Sequence, residues 1–123
     1  MSRGHRTEQI GEEIKKIISE MLLRDIKDPR LDRMISITGV DVSDDLGYAH
    51  VFVTIMTGQD VSEDERAEIE DDVLQGFESA AGHIRKEISR KLRVRHAPEL
   101  SFRIDKSMEY GSHIDKMLHD LGL

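Results

Sequence analysis

Cysteine is absent from this 123-residue chain, and disulfides, thiolate metal sites and cysteine nucleophiles are excluded with it. Such a composition suits a reducing compartment. Long apolar runs are missing too: no stretch approaches the roughly 18 residues that a membrane span needs. The opening MSRGHRTEQIGEEIKK lacks the apolar core of a secretion signal. The expectation is a cytosolic protein without a membrane partner. Aromatic residues make up only 4% of the chain, which leaves few rings on which unpaired bases could stack.

What the chain has is charge. Asp, Glu, Lys and Arg supply 35% of its residues, and the formal net charge is -7. The apolar residues between them are periodic, so the chain reads as one globular domain rather than a disordered one, with its compact part from Arg6 to Leu121. The charge is polarised along the sequence. Asp60 to Asp72 holds eight acids and one Arg, whereas Arg85 to Arg95 holds six bases (Arg85, Lys86, Arg90, Lys91, Arg93, Arg95) and one acid, Glu87. In an acidic protein that distribution says more about partners than the sum does.

Apolar residues at Ile10, Ile14, Ile17, Ile18, Met21 and Leu22 are spaced by three and four and predict an amphipathic helix from Thr7, as N-cap, to about Ile26. Asp28-Pro29 stops it, because the residue before proline is pushed out of the α region. MISITGVDVS alternates with a slip in parity: Ile35 and Ile37 are odd, Val40 and Val42 even. One strand can keep all four on one face only with an extra residue, so a bulge is expected near Thr38-Gly39. SDDLG forms a turn, and YAHVFVTIM returns as the second strand of a hairpin, with Ala49, Val51, Val53 and Ile55 on one face and Tyr48, His50, Phe52 and Thr54 on the other. Ser62 caps a following helix whose acidic opening suits the N-terminal dipole. The stripe of that helix runs Ile69, Val73, Phe77, Ala80/Ala81, Ile84, Ile88, Leu92. Its side chains shrink to almost nothing at Ala80-Ala81-Gly82, which reads as a kink between two helices. ELSFRID gives a third strand, parallel to the second where the two adjoin, with Leu100, Phe102 and Ile104 inward. SHIDKMLHDL closes as a short helix that buries Ile114, Met117, Leu118 and Leu121. The order α-β-β-α-kink-α-β-α builds an α+β fold, a three-stranded sheet with helices on one face.

On the second half of the kinked helix, Ser79, Gly82, Lys86, Arg90 and Arg93 fall three or four residues apart and share a face opposite Ile84, Ile88 and Leu92. Backbone bared at a helix start can approach a phosphate closely, since the first N–H groups have no partners within the helix. Cations below it can follow the next phosphates. That geometry fits a nucleic-acid backbone, and RNA is read largely by shape, phosphate and 2′-OH contacts. His83, beside Gly82, joins the candidate contacts. A solvated cationic face near a helix C-terminus is the plainer reading of the same residues.

With these elements in place the chain resembles a known family. The order matches a type II KH fold, in which a Gly-x-x-Gly loop joins two helices and clamps a nucleic-acid backbone; here Ala80-Ala81-Gly82 replaces that loop. The Ala-x-Gly kink resembles that of the ribosome-binding factor A family, as do RDIKDPRL (Arg24 to Leu31), GVDVSDDLGYAHVFVT (Gly39 to Thr54), AAGHIRKEISRKLRVRHAPELSF (Ala80 to Phe102) and DKSMEYGSHIDKML (Asp105 to Leu118). The resemblance implies a bacterial, cytoplasmic, non-enzymatic assembly factor, important in the cold. Its partners would be the small ribosomal subunit and 16S rRNA during late maturation of the 5′ end. Apart from the resemblance, a monomer without a cofactor is expected, with the open edge of the sheet leaving room for a dimer. Carried over by position, Ala80, Ala81, Gly82 and the basic helix after them fall on the family's RNA-facing surface, and Arg30 and Arg33 could add phosphate contacts.

One other reading stays open, a protein-interaction adaptor that docks the acidic stretch, Asp60 to Asp72, on a basic partner. A divalent-metal site with nuclease chemistry at Asp41, Asp44, Asp45 and Asp105 is set aside, and no metal is expected. Turn geometry explains Asp-rich hairpins well enough, and the six His residues show no spacing of a metal-binding motif.

Overall fold

The computed structural model describes residues 3–107 except Gln59. The chain forms helix α1 (Arg3–Arg24), a single 3-10 turn (Pro29–Leu31), strands β1 (Ile35–Val42) and β2 (Tyr48–Ile55), helix α2 (Glu63–Leu92) and strand β3 (Glu99–Ile104). Strand order is β1-β2-β3, with β1 antiparallel and β3 parallel to the central β2. Among the described residues no helix is long and apolar enough to cross a membrane.

The sheet follows the alternation of its sequence. Ile35, Ile37, Val40 and Val42 pair with Ile55, Val53, Val51 and Ala49, and the register shifts between Ile37 and Gly39. That shift is the extra residue the parity slip demands. Thr38, left out of the pairing, turns its hydroxyl to Asp105 Oδ2 at 2.6 Å. Both helices pack on the inward face of the sheet, where Ile14, Ile18 and Met21 of α1 meet Val51 and Val53 of β2 and Val73, Phe77, Ile84 and Ile88 of α2 in one apolar core. Phe77 stacks on Phe102 of β3, ring centroids 4.7 Å apart. The other sheet face carries exposed Tyr48 and half-buried Phe52.

Three expectations need correction. First, α1 starts at Arg3, so Thr7 lies inside the helix instead of capping it, and it ends at Arg24, before Ile26. Second, α2 is one uninterrupted helix of 30 residues, so the expected separation into two helices at Ala80-Ala81-Gly82 does not occur. A single helical Gly costs on the order of 1 kcal/mol relative to Ala. The buried Phe77 on one side and Ile84 and Ile88 on the other outweigh that, each being worth about 1.5–3 kcal/mol when buried. Third, without a second helix start at Gly82, the amide there belongs to the hydrogen-bond ladder of a helix interior, and it offers no orphan N–H groups to a phosphate. The closing helix expected over residues 112–121 lies outside the described residues.

Helix α2 starts where the sequence places it. Ser62 Oγ accepts from the Glu65 N–H at 3.1 Å and donates to Glu65 Oε1 at 3.2 Å, a reciprocal cap. It ends at Arg93, which takes the left-handed conformation (φ 56) and gives its N–H to the Ser89 carbonyl.

Candidate nucleic-acid interface

The sequence brings two distant segments together at the middle of α2. After α1, Asp28 caps the 3-10 turn: its Oδ1 accepts from the Arg30 backbone N–H at 2.9 Å and from Arg30 Nε at 3.0 Å, and Oδ2 accepts from Nη2 at 2.6 Å. The Arg30 side chain and backbone N–H together hold the Asp28 carboxyl down at about 2. The same Nη2 donates to Ser79 Oγ on α2 at 3.1 Å. This contact depends on Gly76, one turn earlier, where a Cβ would meet Leu31 Cγ at 3.0 Å and Arg30 Cβ at 3.3 Å. The turn therefore seats on bare helix backbone, and Arg30 joins Ser79, Ala80 and His83 around one shallow depression.

Beyond that depression the exposed side of α2 carries His83, Gly82, Lys86 and Arg90, and the chain leaves the helix through exposed Arg93 and Arg95. Ala80 and Ala81 are half-buried and supply low relief between Ser79 and Gly82. At Gly82 a Cβ would have nothing within 4 Å, so no packing in the fold calls for Gly there. Arg90 is bound through Nε and Nη2 to the Glu87 carboxylate. The Arg90 hydrogen bonds, and next its charge, hold Glu87 below the usual carboxylate range. Lys86, Arg93 and Arg95 make no ion pair among the described residues.

Three of the expected contacts lie elsewhere. Arg85 is half-buried, with Nε donating to the Pro98 carbonyl at 3.0 Å and Nη2 to that of Ala97 at 2.9 Å; it ties α2 to the approach of β3. Lys91 reaches across to Glu20 of α1 at 3.5 Å. Arg33 is exposed beside Met34 and Leu23, on a different cavity. Of the thirteen residues expected at the interface, Ser79, Gly82, His83, Lys86, Arg90 and Arg30 gather on one side of α2; Ala80 and Ala81 are half-buried on the flanks of its apolar stripe, and Arg93 and Arg95 lie at its end. The two features that the sequence reading missed are the Gly76 seat and the Asp28 clamp. Gly76 stood on the apolar stripe three residues after Val73, and Asp28 stood two residues before Arg30 with Pro between, which is the spacing of a capped turn.

Two of the four acids considered as metal ligands, Asp45 and Asp105, are engaged in local structure. Asp45 Oδ1 accepts from Ser43 Oγ at 2.7 Å and from the Gly47 N–H at 2.9 Å, which closes the hairpin turn. Asp105 Oδ1 accepts from the Ser107 N–H and hydroxyl, and the Ser107 and Thr38 hydrogen bonds hold its carboxyl below the usual carboxylate range. Among the described residues no group of three or more His, Asp or Glu is arranged to hold a metal ion.

Residues 6–118 match the family model described as ribosome-binding factor A. A curated protein of that name from Caldanaerobacter subterraneus subsp. tengcongensis is 44% identical over 117 residues, which are 95% of this chain and 89% of that protein. The solution structure of a putative ribosome binding factor A from Thermotoga maritima has a TM-score of 0.64 at 30% identity and covers 87% of this chain and 93% of its own. The same fold recurs, at a TM-score of 0.57 and 18% identity, in a homology model of the Thermus thermophilus ribosome binding factor A as fitted into the cryo-EM map of a complex of that protein with 30S, covering 78% of this chain and 91% of that one.

Proposed function

The chain belongs to the ribosome-binding factor A family, and from that premise we propose that it is a non-catalytic assembly factor. It binds the small ribosomal subunit and its 16S rRNA during late maturation of the RNA's 5′ end. The contact surface is the exposed side of α2 from Ser79 to Arg90, extended by Arg93 and Arg95 and flanked by Arg30. Lys86, Arg93 and Arg95 meet phosphates directly. Arg90 exchanges the Glu87 carboxylate for a phosphate, so a charge that is already oriented is transferred rather than ordered anew. Arg30 is held by Asp28 at the Ser79 end and marks where the RNA backbone turns off the helix.

The observation that carries this reading is Gly82. It occupies the interior of a continuous helix, where Ala is favoured by about 1 kcal/mol, and nothing lies within 4 Å of the space its side chain would fill. A backbone left bare with open space above it and cations on the following turns is shaped for the close approach of another backbone. Since the Gly82 amide is used within the helix, the approach is one of van der Waals contact and shape, with the cations supplying the charge.

The test is co-sedimentation with purified small and large ribosomal subunits at low and moderate salt. The wild type is compared with a Lys86→Glu/Arg90→Glu/Arg93→Glu variant that circular dichroism finds folded. Selective binding to the small subunit, lost in the variant, is the expected result. Equal binding by the variant removes α2 from the interface, and a wild type that ignores both subunits ends the proposal.

A further inference from the structure

The outer face of the sheet carries rings that the fold does not use. Both helices pack on the inward face, and the alternation of β2 turns Tyr48, His50 and Phe52 the other way. The chain has only three Phe and two Tyr, and one of each stands in this row. Among the described residues Phe77 and Phe102 stack in the core, while Tyr48 and Phe52 stack on no other ring. Tyr48 is 56% exposed, and His50 and Phe52 are half-buried. On one side of Phe52 its strand partner is Gly39 of β1, where a Cβ would meet nothing within 4 Å. Gly39 adjoins the bulge, but its φ lies outside the left-handed region, so neither packing nor backbone geometry calls for glycine. Glycine inside a strand weakens it and often marks the close approach of a ligand. On the other side Phe52 pairs with Arg103 of β3, which is exposed and makes no ion pair among the described residues.

Spacing and chemistry point to one kind of occupant. Rings two residues apart on a strand stand about 7 Å from each other, twice the roughly 3.4 Å between successive bases along a duplex strand. Successive bases can lie on separate rings only when they are unstacked from one another, so a single strand fits and a duplex does not. Sheets that read single-stranded RNA present aromatics that stack two or three bases, and every base offers a π-face, so the contact tolerates sequence. Asp41 beside His50 and Glu99 beside Tyr48 repel phosphate at that end of the row. The backbone therefore runs past Arg103, and its bases reach across Phe52 from there. The outward positions of the three strands hold no Leu, Ile, Val or Met, so an apolar protein surface would find no aliphatic floor to pack on.

We propose that the outer sheet face is a stacking platform for a single-stranded RNA segment, with two or three bases on Phe52, His50 and Tyr48 and the backbone against Arg103. It lies across the sheet from α2 and is a second contact, separate from the basic side of that helix. That the strand is RNA rests on the small-subunit reading; the platform itself does not.

The test uses the full chain carrying Lys86→Glu/Arg90→Glu/Arg93→Glu, so that the helix surface does not contribute. A uridine RNA hexamer is titrated and followed by fluorescence anisotropy and ring-proton NMR. The Tyr48 and Phe52 signals are expected to move and those of buried Phe77 to stay. Phe52→Ala should weaken binding by about fivefold or more, the loss of one base stack, and Phe52→Tyr should restore it. Arg103→Gln should lower the salt slope by about 0.7, one phosphate contact on a single strand. Gly39→Val guards against a variant that merely unfolds: a β-branched residue suits a strand, meets no atom there and stands beside Phe52. Shown folded by circular dichroism, it should bind as weakly as Phe52→Ala. No hexamer binding by the parent chain overturns the proposal, as does affinity unchanged by both Phe52→Ala and Gly39→Val. If hexamer binding is unaffected while Gly39→Val in the otherwise wild-type chain abolishes small-subunit binding or self-association, the face belongs to a protein or a second copy, and the RNA platform falls.

Discussion

The first and last thirds of α2 share one helix, one apolar stripe and one solvent-facing side, yet Glu63, Asp64, Glu65, Glu68, Asp71 and Asp72 crowd one end while Lys86, Arg90 and Lys91 crowd the other. At the acidic end, local forces account for most of the composition. Glu65 completes the Ser62 cap, Glu63 and Asp64 face the positive pole of the helix, and Glu70 pairs with Lys106 at 3.2 Å. At the basic end they account for less. The dipole explains cations in the last turn, Arg90 and Lys91, but its influence fades within a turn and so does not reach Lys86. Two residues there even run against the fold: Gly82 where Ala would be better, and Arg93 in a left-handed cap where Gly would be better. One end of the helix is built to start it. The other carries residues that helix formation does not ask for, and those are the residues proposed to meet RNA.

The largest test of that contrast is electrostatic. Reversing Lys86, Arg90 and Arg93 should lower the salt dependence of small-subunit binding, the slope of log K against log salt falling by about three as three phosphate contacts are lost. Neutralising Glu68, Asp71 and Asp72 should leave that slope in place while raising binding to unrelated RNA, because the acidic end repels RNA from the wrong side of the molecule. Filter binding across a salt series measures both. Equal slopes for wild type and the basic triple variant would erase the distinction between the ends.

The glycines give the next test, read by thermal or urea denaturation. Gly76→Ala gains helix propensity but pushes a Cβ against Leu31, and overpacking of about 1–3 kcal/mol in magnitude leaves a net loss of about 1 kcal/mol. Gly82→Ala meets no atom and should stabilise by up to about 1 kcal/mol while weakening RNA binding. A Gly82→Ala protein that is more stable and binds RNA as well as before would make that glycine incidental. Arg93→Gly should likewise stabilise, by about 0.5–1 kcal/mol from relief of the left-handed backbone, and lower the salt slope by about one.

The smallest effect belongs to Asp28. Its folded-state value of about 2 lies below the ordinary carboxylate range near 4, so the carboxylate's contribution to stability is present in full above about pH 4 and is lost as pH falls towards 2. Carboxyl NMR should place its midpoint near 2 and move the Arg30 Nε signal with it. A midpoint near 4 would mean that the clamp does not hold Arg30 in solution.

Much of the fold and of the basic surface is legible in the order of residues. Parity alone locates the bulge between Ile37 and Gly39, alternation places Phe102 inward on β3, and Ser62 announces its helix. The illegible parts share a cause: they depend on residues far apart in sequence. Nothing local says that Phe77 and Ile84 will hold α2 together across Gly82, and a weak propensity rule loses to that packing. Charge locates the basic surface, but it cannot say that Arg85 will turn to the carbonyls of Ala97 and Pro98 or that Lys91 will find Glu20. Nor can it say that the segment around Pro29 will bring Arg30 to Ser79, 49 positions away.

The parallel pairing of β2 with β3 has a kinetic meaning. Tyr48 lies opposite Glu99 and Val53 opposite Ile104, so that half of the sheet is closed by a loop containing the whole of α2. The hairpin of β1 and β2 can form from neighbouring residues within microseconds, but Phe77 cannot find Phe102 until the strand beyond the long helix has arrived. Pairings so distant in sequence form late. During synthesis, at roughly 5–20 residues per second, the chain therefore waits for some seconds with a formed hairpin and an open edge on β2. Its slowest folding event is expected to be the docking of β3, the strand whose approach Arg85 secures.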